Sequence, residues 1–239
     1  MERHEIVEPF ERMIARLYPP ERVRLGADWS EERAEIEASG FLDLLAGDEG
    51  LPFDQAVPLF MVFGRHAAPL GIGREMIARG GLGAEAEAIL LAAAIAGAGE
   101  RVCEMAVAYA NDRAQFGKPI GKQQAVQQNL ALMAEHVIAV RLAAELAAAD
   151  FPDGAAMKAA VAKATASKLA PRIANAAHAV FGAMGIGMEH DLQLYTCRLH
   201  QWRAKAGSET LHARTLGAAV LADQRSAVDW VRAEVFRET

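Results

Sequence analysis

Residues 87–100 run Glu-Ala-Ile-Leu-Leu-Ala-Ala-Ala-Ile-Ala-Gly-Ala-Gly-Glu, which is an unbroken apolar segment between two acidic residues. A helix that crosses a bilayer needs about 20 apolar residues, so this segment is too short to span a membrane. Alanine and leucine are strong helix formers, and we therefore expect a helix buried in the core of a soluble protein. The neighbouring residues extend this pattern and predict one long helix over residues 84–111.

The composition excludes several broad classes of protein. Of the 239 residues, 52% are hydrophobic, which is too many for a disordered chain. Only 6% are aromatic, and β-branched residues are not favoured, so an all-β domain is not expected. The net charge is −6, and residues 1–50 hold 13 acidic but only 6 basic side chains. This acidic balance argues against a nucleic-acid partner, because phosphate binding needs clustered lysine and arginine.

Cysteine and histidine spacing gives no sign of a metal site. Cys103 and Cys197 lie 94 residues apart and form neither a metal motif nor a disulfide framework, so a reducing, cytoplasmic location is expected. Four histidines between residues 178 and 212 recur at intervals of 10 or 12 residues. Zinc ligands commonly lie about two to five residues apart, so these histidines predict no metal centre. Residues 1–20 lack the continuous apolar core of a signal peptide.

Apolar periodicity, interrupted by prolines and glycines, divides the first 80 residues into short helices. The predicted helices cover residues 5–17, 30–39, 53–66 and 74–78. Phe60 and Phe63 are expected to face the core. Gly71 and Gly73 lack the third glycine of a dinucleotide-binding fingerprint and are expected to form a turn.

The second part of the chain predicts a bundle. Gly80-Gly-Leu-Gly83 is the clearest boundary, and it divides the chain into an N-terminal helical domain, 1–80, and a C-terminal domain, 81–239. Four helices with short connections are expected there, and no strand, which makes the fold all-α with a C-terminal four-helix bundle. They cover residues 84–111, 122–150, 155–181 and 204–225. The buried stripe of the second is predicted to be Val126, Leu130, Met133, Val137, Val140 and Leu142.

One stretch, Tyr109-Ala-Asn-Asp-Arg-Ala-Gln-Phe-Gly-Lys-Pro-Ile120, carries a chemical signal. It presents an arginine at a helix end, followed by an aromatic residue and a turn with an exposed backbone. Such an arginine is well suited to bind a phosphate or pyrophosphate. The alternative is that Arg113 only offsets the dipole at the C-terminus of the helix.

This stretch resembles the Tyr-Ala-x-x-Arg-x-x-Phe-Gly-x-x-Ile segment of the flavin-dependent acyl-CoA dehydrogenases. A second motif, Phe181-Gly-Ala-Met-Gly-Ile-Gly187, is similar to the Gly-Gly-x-Gly turn of that family with its second glycine replaced. The two motifs occur in the family's order, and the resemblance covers about residues 84–225. Residues 1–80 resemble the family's N-terminal helical domain more faintly.

The resemblance implies an FAD site shared between subunits. It places Arg113 on the pyrophosphate, with Gln115 and Phe116 against the cofactor and Gln124 near the adenosine. Gly182 and Gly185 would allow the backbone of the neighbouring subunit to approach the adenine. A glutamine that is common before this turn is replaced by Ala179.

The resemblance also implies a catalytic base that removes the α-proton of an acyl-CoA while the β-hydride passes to the flavin. The usual glutamate position is Gly207 here, and Glu209 lies two residues on, which is about 200° around a helix. A minority of the family keeps the base on an earlier helix, 22 residues before the Tyr-Ala pair, and that position is Glu87. The alternative for Glu87 is a glutamate favoured by the helix dipole. The arginine that usually follows this base is Ala88.

Members of the family carry a β-barrel-like middle domain between their helical parts, and this chain joins the helical parts directly. We therefore expect it to act in a homo-oligomer, or in a hetero-oligomer with a homologue that retains the β-domain. The first hypothesis is an acyl-CoA dehydrogenase subunit of fatty acid or lipid catabolism, whose FAD is reoxidised by an electron-transfer partner. The second hypothesis is a non-catalytic structural subunit of such an enzyme.

Overall fold

The computed structural model describes residues 3–26, 28–48 and 50–236, and it confirms the all-α fold. Its helices are α1 (Arg3–Leu17), α2 (Pro20–Leu25), α3 (Ser30–Ala38), α4 (Phe53–Arg65), α5 (Gly71–Arg79), α6 (Ala84–Asp112), α7 (Gln124–Ala148), α8 (Ala155–Phe181), α9 (Leu192–Ala204), α10 (Glu209–Ala222) and α11 (Ala227–Glu234). Two two-residue strands, β1 (Ala114–Gln115) and β2 (Lys118–Pro119), pair as an antiparallel hairpin. Short 3-10 turns cover Phe41–Asp43, Ile120–Lys122 and Gly182–Gly185.

Helix α6 is the central element of the fold. Every residue from 88 to 99 is buried, because α4, α7, α8 and α9 all pack against this helix. The run of alanines permits this arrangement, since small side chains allow neighbouring helices to approach from several directions. The apolar segment therefore forms the buried helix that its composition predicts.

The crossing of α4 and α6 is held at backbone contact by two glycines. A Cβ atom on Gly97 would lie 2.0 Å from the Met61 carbonyl oxygen, and one on Gly64 would lie 2.0 Å from the Ala94 carbonyl oxygen. These distances are far below van der Waals contact, so only glycine fits at either position. On the other side of α4, Phe10 packs edge-on against Phe63, which attaches α1 to the same core.

The short chain lacks a middle domain, since residues 80–83 connect α5 directly to α6. One apolar core extends from α1 through α9 and includes residues from both sides of this connection. Phe60 and Phe63 are fully buried, as predicted. The division of the chain into domains at residues 80 and 81 stays a prediction. Among the described residues, no helix combines the length and the hydropathy that a bilayer span requires.

Four details of the sequence analysis are corrected by the structure. Leu142 is 51% exposed, because it follows Val140 by two residues and therefore lies on the opposite face of α7. Gly71 and Gly73 belong to α5 rather than to a turn. The segment after Arg113 forms a hairpin where no strand was expected. The predicted helix over residues 204–225 is replaced by α9 and α10, since Ala206 and Gly207 both have positive φ angles that interrupt a helix.

We predict that Gly97→Ala lowers the free energy of unfolding by about 3 kcal/mol, because the added methyl group forces α4 away from α6. Gly217→Ala is the matched control: its Cβ would meet no atom within 4 Å. Alanine there removes the entropic disadvantage of a helical glycine and adds about 0.5–1 kcal/mol. Urea denaturation of both variants measures the difference, and equal stabilities would contradict the close crossing.

Candidate functional site

The segment after α6 is a tight β-hairpin that projects an aromatic ring. Ala114 pairs with Pro119 and Gln115 with Lys118, which leaves Phe116 and Gly117 as the two-residue turn. Both turn residues have positive φ angles, 53° and 76°, as a type I′ turn requires. A phenylalanine rarely adopts this conformation, so Phe116 is held under backbone strain. Its side chain is 93% exposed.

The hairpin is also basic. Arg113, Lys118 and Lys122 lie in or beside it, against one acidic residue, Asp112. Arg113 is exposed, and no carboxylate among the described residues pairs with its guanidinium. Its backbone carbonyl accepts a hydrogen bond from the Ile120 N–H at 2.8 Å, which fixes the base of the hairpin. An exposed cation and an exposed ring therefore lie three residues apart in the segment that follows α6.

The other predicted cofactor-binding residues lie at the same end of the bundle, which we call the hairpin end. The rings of Tyr109 on α6 and Phe181 on α8 stack with centroids 4.4 Å apart, which joins the end of α8 to the base of the hairpin. Gly182 follows Phe181 with a φ of 58°, and its Cα faces open space. Gln124 is the exposed first residue of α7. The structure thus brings together residues that the sequence separates by about 70 positions.

Gly185 and Ala179 differ from Gly182 in their surroundings. Gly185 is buried, and a Cβ there would lie 2.8 Å from atoms of Leu192 and Phe181, so its small size serves packing within the chain. Ala179 is exposed two residues before the end of α8. Of Gly182 and Gly185, Gly182 is therefore the one open to an approaching backbone.

Glu87 lies at the opposite end of α6. The rise of 1.5 Å per residue places it about 39 Å from Arg113 along the helix axis. Its carboxylate is partly exposed, and Oε1 accepts a hydrogen bond from Arg74 Nε on α5 at 2.6 Å. The resemblance predicts an arginine next to this glutamate, and Ala88 stands at that position. A guanidinium nevertheless contacts the Glu87 carboxylate, because Arg74 reaches it from α5. Because about 39 Å separates them, Glu87 and Arg113 of the same chain cannot contact the same small part of one ligand.

The second candidate position for a base, Gly207, lies at the level of Glu87. Gly99 on α6 lies beside Ile173 on α8, and Tyr109 further along α6 stacks on Phe181 further along α8, so the two helices run parallel. Counting back the same number of residues on both helices places Glu87 level with about residue 161. Gly207 contacts Lys163 at this level. Its φ is 92°, and a Cβ there would lie 2.7 Å from His212 Nε2, so a side chain at this position would strain the backbone and displace the His212 ring. Glu209 forms an ion pair with Arg203 instead.

Lys163 holds this loop in place and is a residue that the sequence analysis missed. Its side chain is completely buried, and Nζ donates to Ser167 Oγ at 2.6 Å and to the carbonyl oxygens of Arg203 and Gly207 at 2.9 Å each. Burial lowers the pKa of Lys163 to about 8, opposed in part by the charge of Glu209. The sequence does contain a signal for this network. Lys163 and Ser167 lie four residues apart on a face of α8 that is otherwise rich in alanine, and a lysine on such a face needs buried hydrogen-bond partners.

Metal binding finds no geometric basis in the described part of the chain, where no three histidine, cysteine or acidic side chains converge. His178 instead shares a hydrogen bond with Thr196 Oγ1 at 3.2 Å, and burial lowers the pKa of its imidazole. His190 packs edge-on against Phe181. Two of the four histidines that the sequence analysis considered therefore take part in the packing of α8 and α9.

Comparison with known proteins assigns this architecture. The family profile described as acyl-CoA dehydrogenase, C-terminal domain, matches residues 77–221. The acyl-CoA dehydrogenase IpdE2 of Mycolicibacterium smegmatis is 34% identical over 137 residues, which are 57% of this chain and 43% of that protein. The matched part therefore spans less than half the length of this relative.

Solved structures extend the likeness of fold beyond the matched profile. A chain of the ChsE4-ChsE5 complex from Mycobacterium tuberculosis superposes with a TM-score of 0.79 and 17% identity, covering 94% of this chain and 98% of that one. Butyryl-CoA dehydrogenase from Megasphaera elsdenii superposes with a TM-score of 0.55 and 29% identity, covering 58% of this chain and 37% of that one. The first likeness shows the fold, and the second covers little more than a third of the longer enzyme.

We predict that Lys163→Met lowers the free energy of unfolding by about 2 kcal/mol or more, since it leaves buried carbonyl groups without a donor. It also changes the pH dependence. The pKa of Lys163 is about 8 in the folded chain and 10.5 in its ordinary state, so between these values the unfolded chain binds more protons and stability rises with pH. Urea titrations from about pH 7.5 to about pH 9.5 should show this rise in the unaltered chain but not in the variant. Equal pH slopes would contradict the buried cation.

Proposed function

Because the chain belongs to the acyl-CoA dehydrogenase family, we propose that it is a subunit of a flavin-dependent enzyme that dehydrogenates an acyl-CoA thioester between its α and β carbons. FAD, when bound, supplies the acceptor for the β-hydride. An electron-transfer protein then reoxidises it, within a pathway of fatty acid or lipid breakdown. The observation that carries the proposal is the hairpin end of the bundle.

The hairpin end fits a dinucleotide with a pyrophosphate. Arg113 offers a guanidinium with no competing carboxylate among the described residues, and such a group binds phosphate oxygens in a bidentate manner. Phe116 offers an exposed ring that a strained turn holds away from the chain's own core. Gln115 and Gln124 add exposed amides, and Gly182 leaves room for a backbone to approach. We assign all of these residues to FAD, with Gly185 supporting the turn from within.

Glu87 is the residue we propose as the base. It would take the α-proton of the acyl-CoA on its carboxylate, while Arg74 orients that carboxylate through Oε1. The strain that a side chain would meet at Gly207 supports this assignment, because a glutamate is disfavoured at the more usual position. Glu87 and Arg113 lie about 39 Å apart, so each would contribute to a different flavin or complete a site with another subunit.

The partner would pack against an apolar face of α7. Ile138, Leu142 and Leu146 are spaced four residues apart, and their side chains are 56%, 51% and 41% exposed. Leu132 is also 51% exposed, but it lies about 120° around the helix from Ile138 and therefore outside this stripe. A contiguous apolar surface on a helix is typical of a protein interface.

A groove beside this face supports the same proposal. It has a volume of about 540 Å³ between α6 and α7, and its floor includes Cys103, Val107 and Val137. Glu100 and Arg141 form a charged rim and hydrogen-bond to each other at 3.3 Å. An apolar floor with a polar rim matches the anatomy of a subunit interface. We propose a homologue with a β-domain as the occupant, since a chain of the same fold forms part of the ChsE4-ChsE5 complex.

A second candidate function is a non-catalytic subunit that stabilises such a homologue. The loss of the usual base at Gly207 and of the glutamine at Ala179 favours it. The two candidates differ in what they require of Arg113 and Glu87: the first requires both side chains, whereas the second requires neither.

We predict that Arg113→Ala raises the Kd for FAD at least about tenfold, because a charge-assisted hydrogen bond contributes about 1.5–3 kcal/mol. The measurement is the flavin-to-protein ratio in visible absorbance, for the chain expressed alone and with its genomic neighbours. Arg172→Ala is the control, since Arg172 is also exposed and has no carboxylate partner among the described residues. Unchanged flavin content in Arg113→Ala would remove this residue from the site.

Glu87→Gln tests catalysis separately. Loss of a general base lowers kcat by about 10²–10⁴-fold, whereas the flavin content should stay unchanged, because the hairpin end is intact. Activity is followed with an acyl-CoA and an artificial electron acceptor. If Glu87→Gln retains full activity while Arg113→Ala loses flavin, the base belongs to the partner and this chain supplies only cofactor contacts.

We also predict that Ile138→Glu weakens association with the partner at least about 100-fold, or about 2.8 kcal/mol, because it places an unpaired charge in an apolar interface. Size-exclusion chromatography with light scattering measures the assembly. Leu25→Glu is the control: Leu25 is 84% exposed but lies on α2, away from the α7 face. Normal assembly of Ile138→Glu would exclude this face as the interface.

A further inference from the structure

A small cavity between α2 and α9 carries chemistry that the proposed flavin site does not use. Its volume is about 240 Å³, and its lining includes no acidic side chain among the described residues. The polar lining consists of Arg24, Gln193, Cys197, Arg198 and Gln201. None of the residues assigned to FAD, and neither Glu87 nor Arg74, belongs to this lining.

Arg198 is the unusual member of this set. Its Nε donates to the Ala67 carbonyl oxygen and its Nη1 to Gln201 Oε1, both at 3.2 Å. Among the arginine side chains that the structure describes, those without a carboxylate partner are Arg113, Arg172, Arg198 and Arg214. Arg198 is the partly buried one of these four. Burial lowers the pKa of its guanidinium, in keeping with the lack of a carboxylate partner among the described residues.

Arg24 adds a second guanidinium whose donors are incompletely used. It forms an ion pair with Asp191, but its Nε is buried and has no hydrogen-bond partner among the described residues. Asp191 balances the charge of only one of the two arginines, so one positive charge at this cavity stays uncompensated. A buried donor without a partner costs free energy, and a buried cation without a counter-ion costs more.

We propose that this cavity binds a small oxoanion, the carboxylate or phosphate group of a ligand, between Arg24 and Arg198. The planar guanidinium group matches the geometry of both oxoanions, and the amides of Gln193 and Gln201 add further donors. The volume lies below the range of about 300–1,000 Å³ that is typical for drug-sized ligands. The cavity therefore suits a small anion or the charged end of a larger molecule. This site is independent of the proposed dehydrogenase function.

Cys197 provides a reporter for the test, because its exposed thiol lines the cavity. An anion between the two arginines would block the thiol and compete with its thiolate for the guanidinium groups. Cys103 is the internal control: it lies in the groove between α6 and α7, and burial raises the pKa of its thiol. Alkylation by iodoacetamide, followed by peptide mass spectrometry, measures both rates in the same full-length sample.

Inorganic phosphate and acetate are titrated separately against sodium chloride of equal ionic strength. At ten times the Kd, occupancy should slow alkylation of Cys197 about elevenfold and leave Cys103 unchanged. Protection by phosphate alone identifies a phosphate site, and protection by acetate alone identifies a carboxylate site. Equal rates in both anions and in chloride would overturn the proposal and leave a cavity filled by water.

Three variants assign the effect to the cavity. Arg198→Gln should abolish protection while its amide retains a donor for the Ala67 carbonyl group. Arg24→Gln should do the same without touching that contact, so it decides the matter if Arg198→Gln fails to fold. Arg172→Gln removes an exposed arginine of α8 and should leave protection intact. Protection that persists in both cavity variants would show that the anion acts elsewhere.

Discussion

The crossing of α4 over α6 is the constraint on which the rest of the structure depends. Gly64 and Gly97 let the two backbones touch, and no side chain fits between them. This contact fixes the N-terminal helices directly on the central helix of the bundle, so residues 80–83 need only join α5 to α6. The consequence is one continuous core, and α6 becomes buried on the sides that face α4, α7, α8 and α9.

The length of α6 then separates the chemistry of the chain into two regions. Arg113 and Phe116 lie at the hairpin end, and Glu87 lies about 39 Å away beside Arg74. Helices of this length hold that separation rigidly, because α7 and α8 pack along α6. Under the proposed function, each end contributes half of a site, and a second subunit supplies the other half. The apolar face of α7 gives that subunit a surface to cover, since α7 is buried only on its inner side.

Local composition explains which features could be predicted. The limits of α6 and α8 were predicted to within one residue, because alanine-rich segments bounded by glycine leave little choice. The two motifs of the hairpin end were recognised from their sequence, but their juxtaposition follows from the parallel packing of α6 and α8, which no local pattern contains. Leu142 was misplaced because its apolar character was given more weight than its spacing, which is two residues from Val140 and therefore on the opposite face of α7. The Arg74–Glu87 pair, the cavity around Arg198 and the break between α9 and α10 depend on tertiary contacts that no local pattern contains.

That break explains why the usual base position cannot simply be restored in this chain. Gly207 has a positive φ angle, and the space beside it is filled by His212, so a glutamate there would require the loop to move. Lys163 opposes such movement, because its buried amine holds the carbonyl groups of Arg203 and Gly207 together. The loop is therefore a fixed joint between α9 and α10. If the assembly dehydrogenates acyl-CoA, the proton acceptor is therefore either Glu87 or a residue of the partner, because a glutamate at position 207 would be strained.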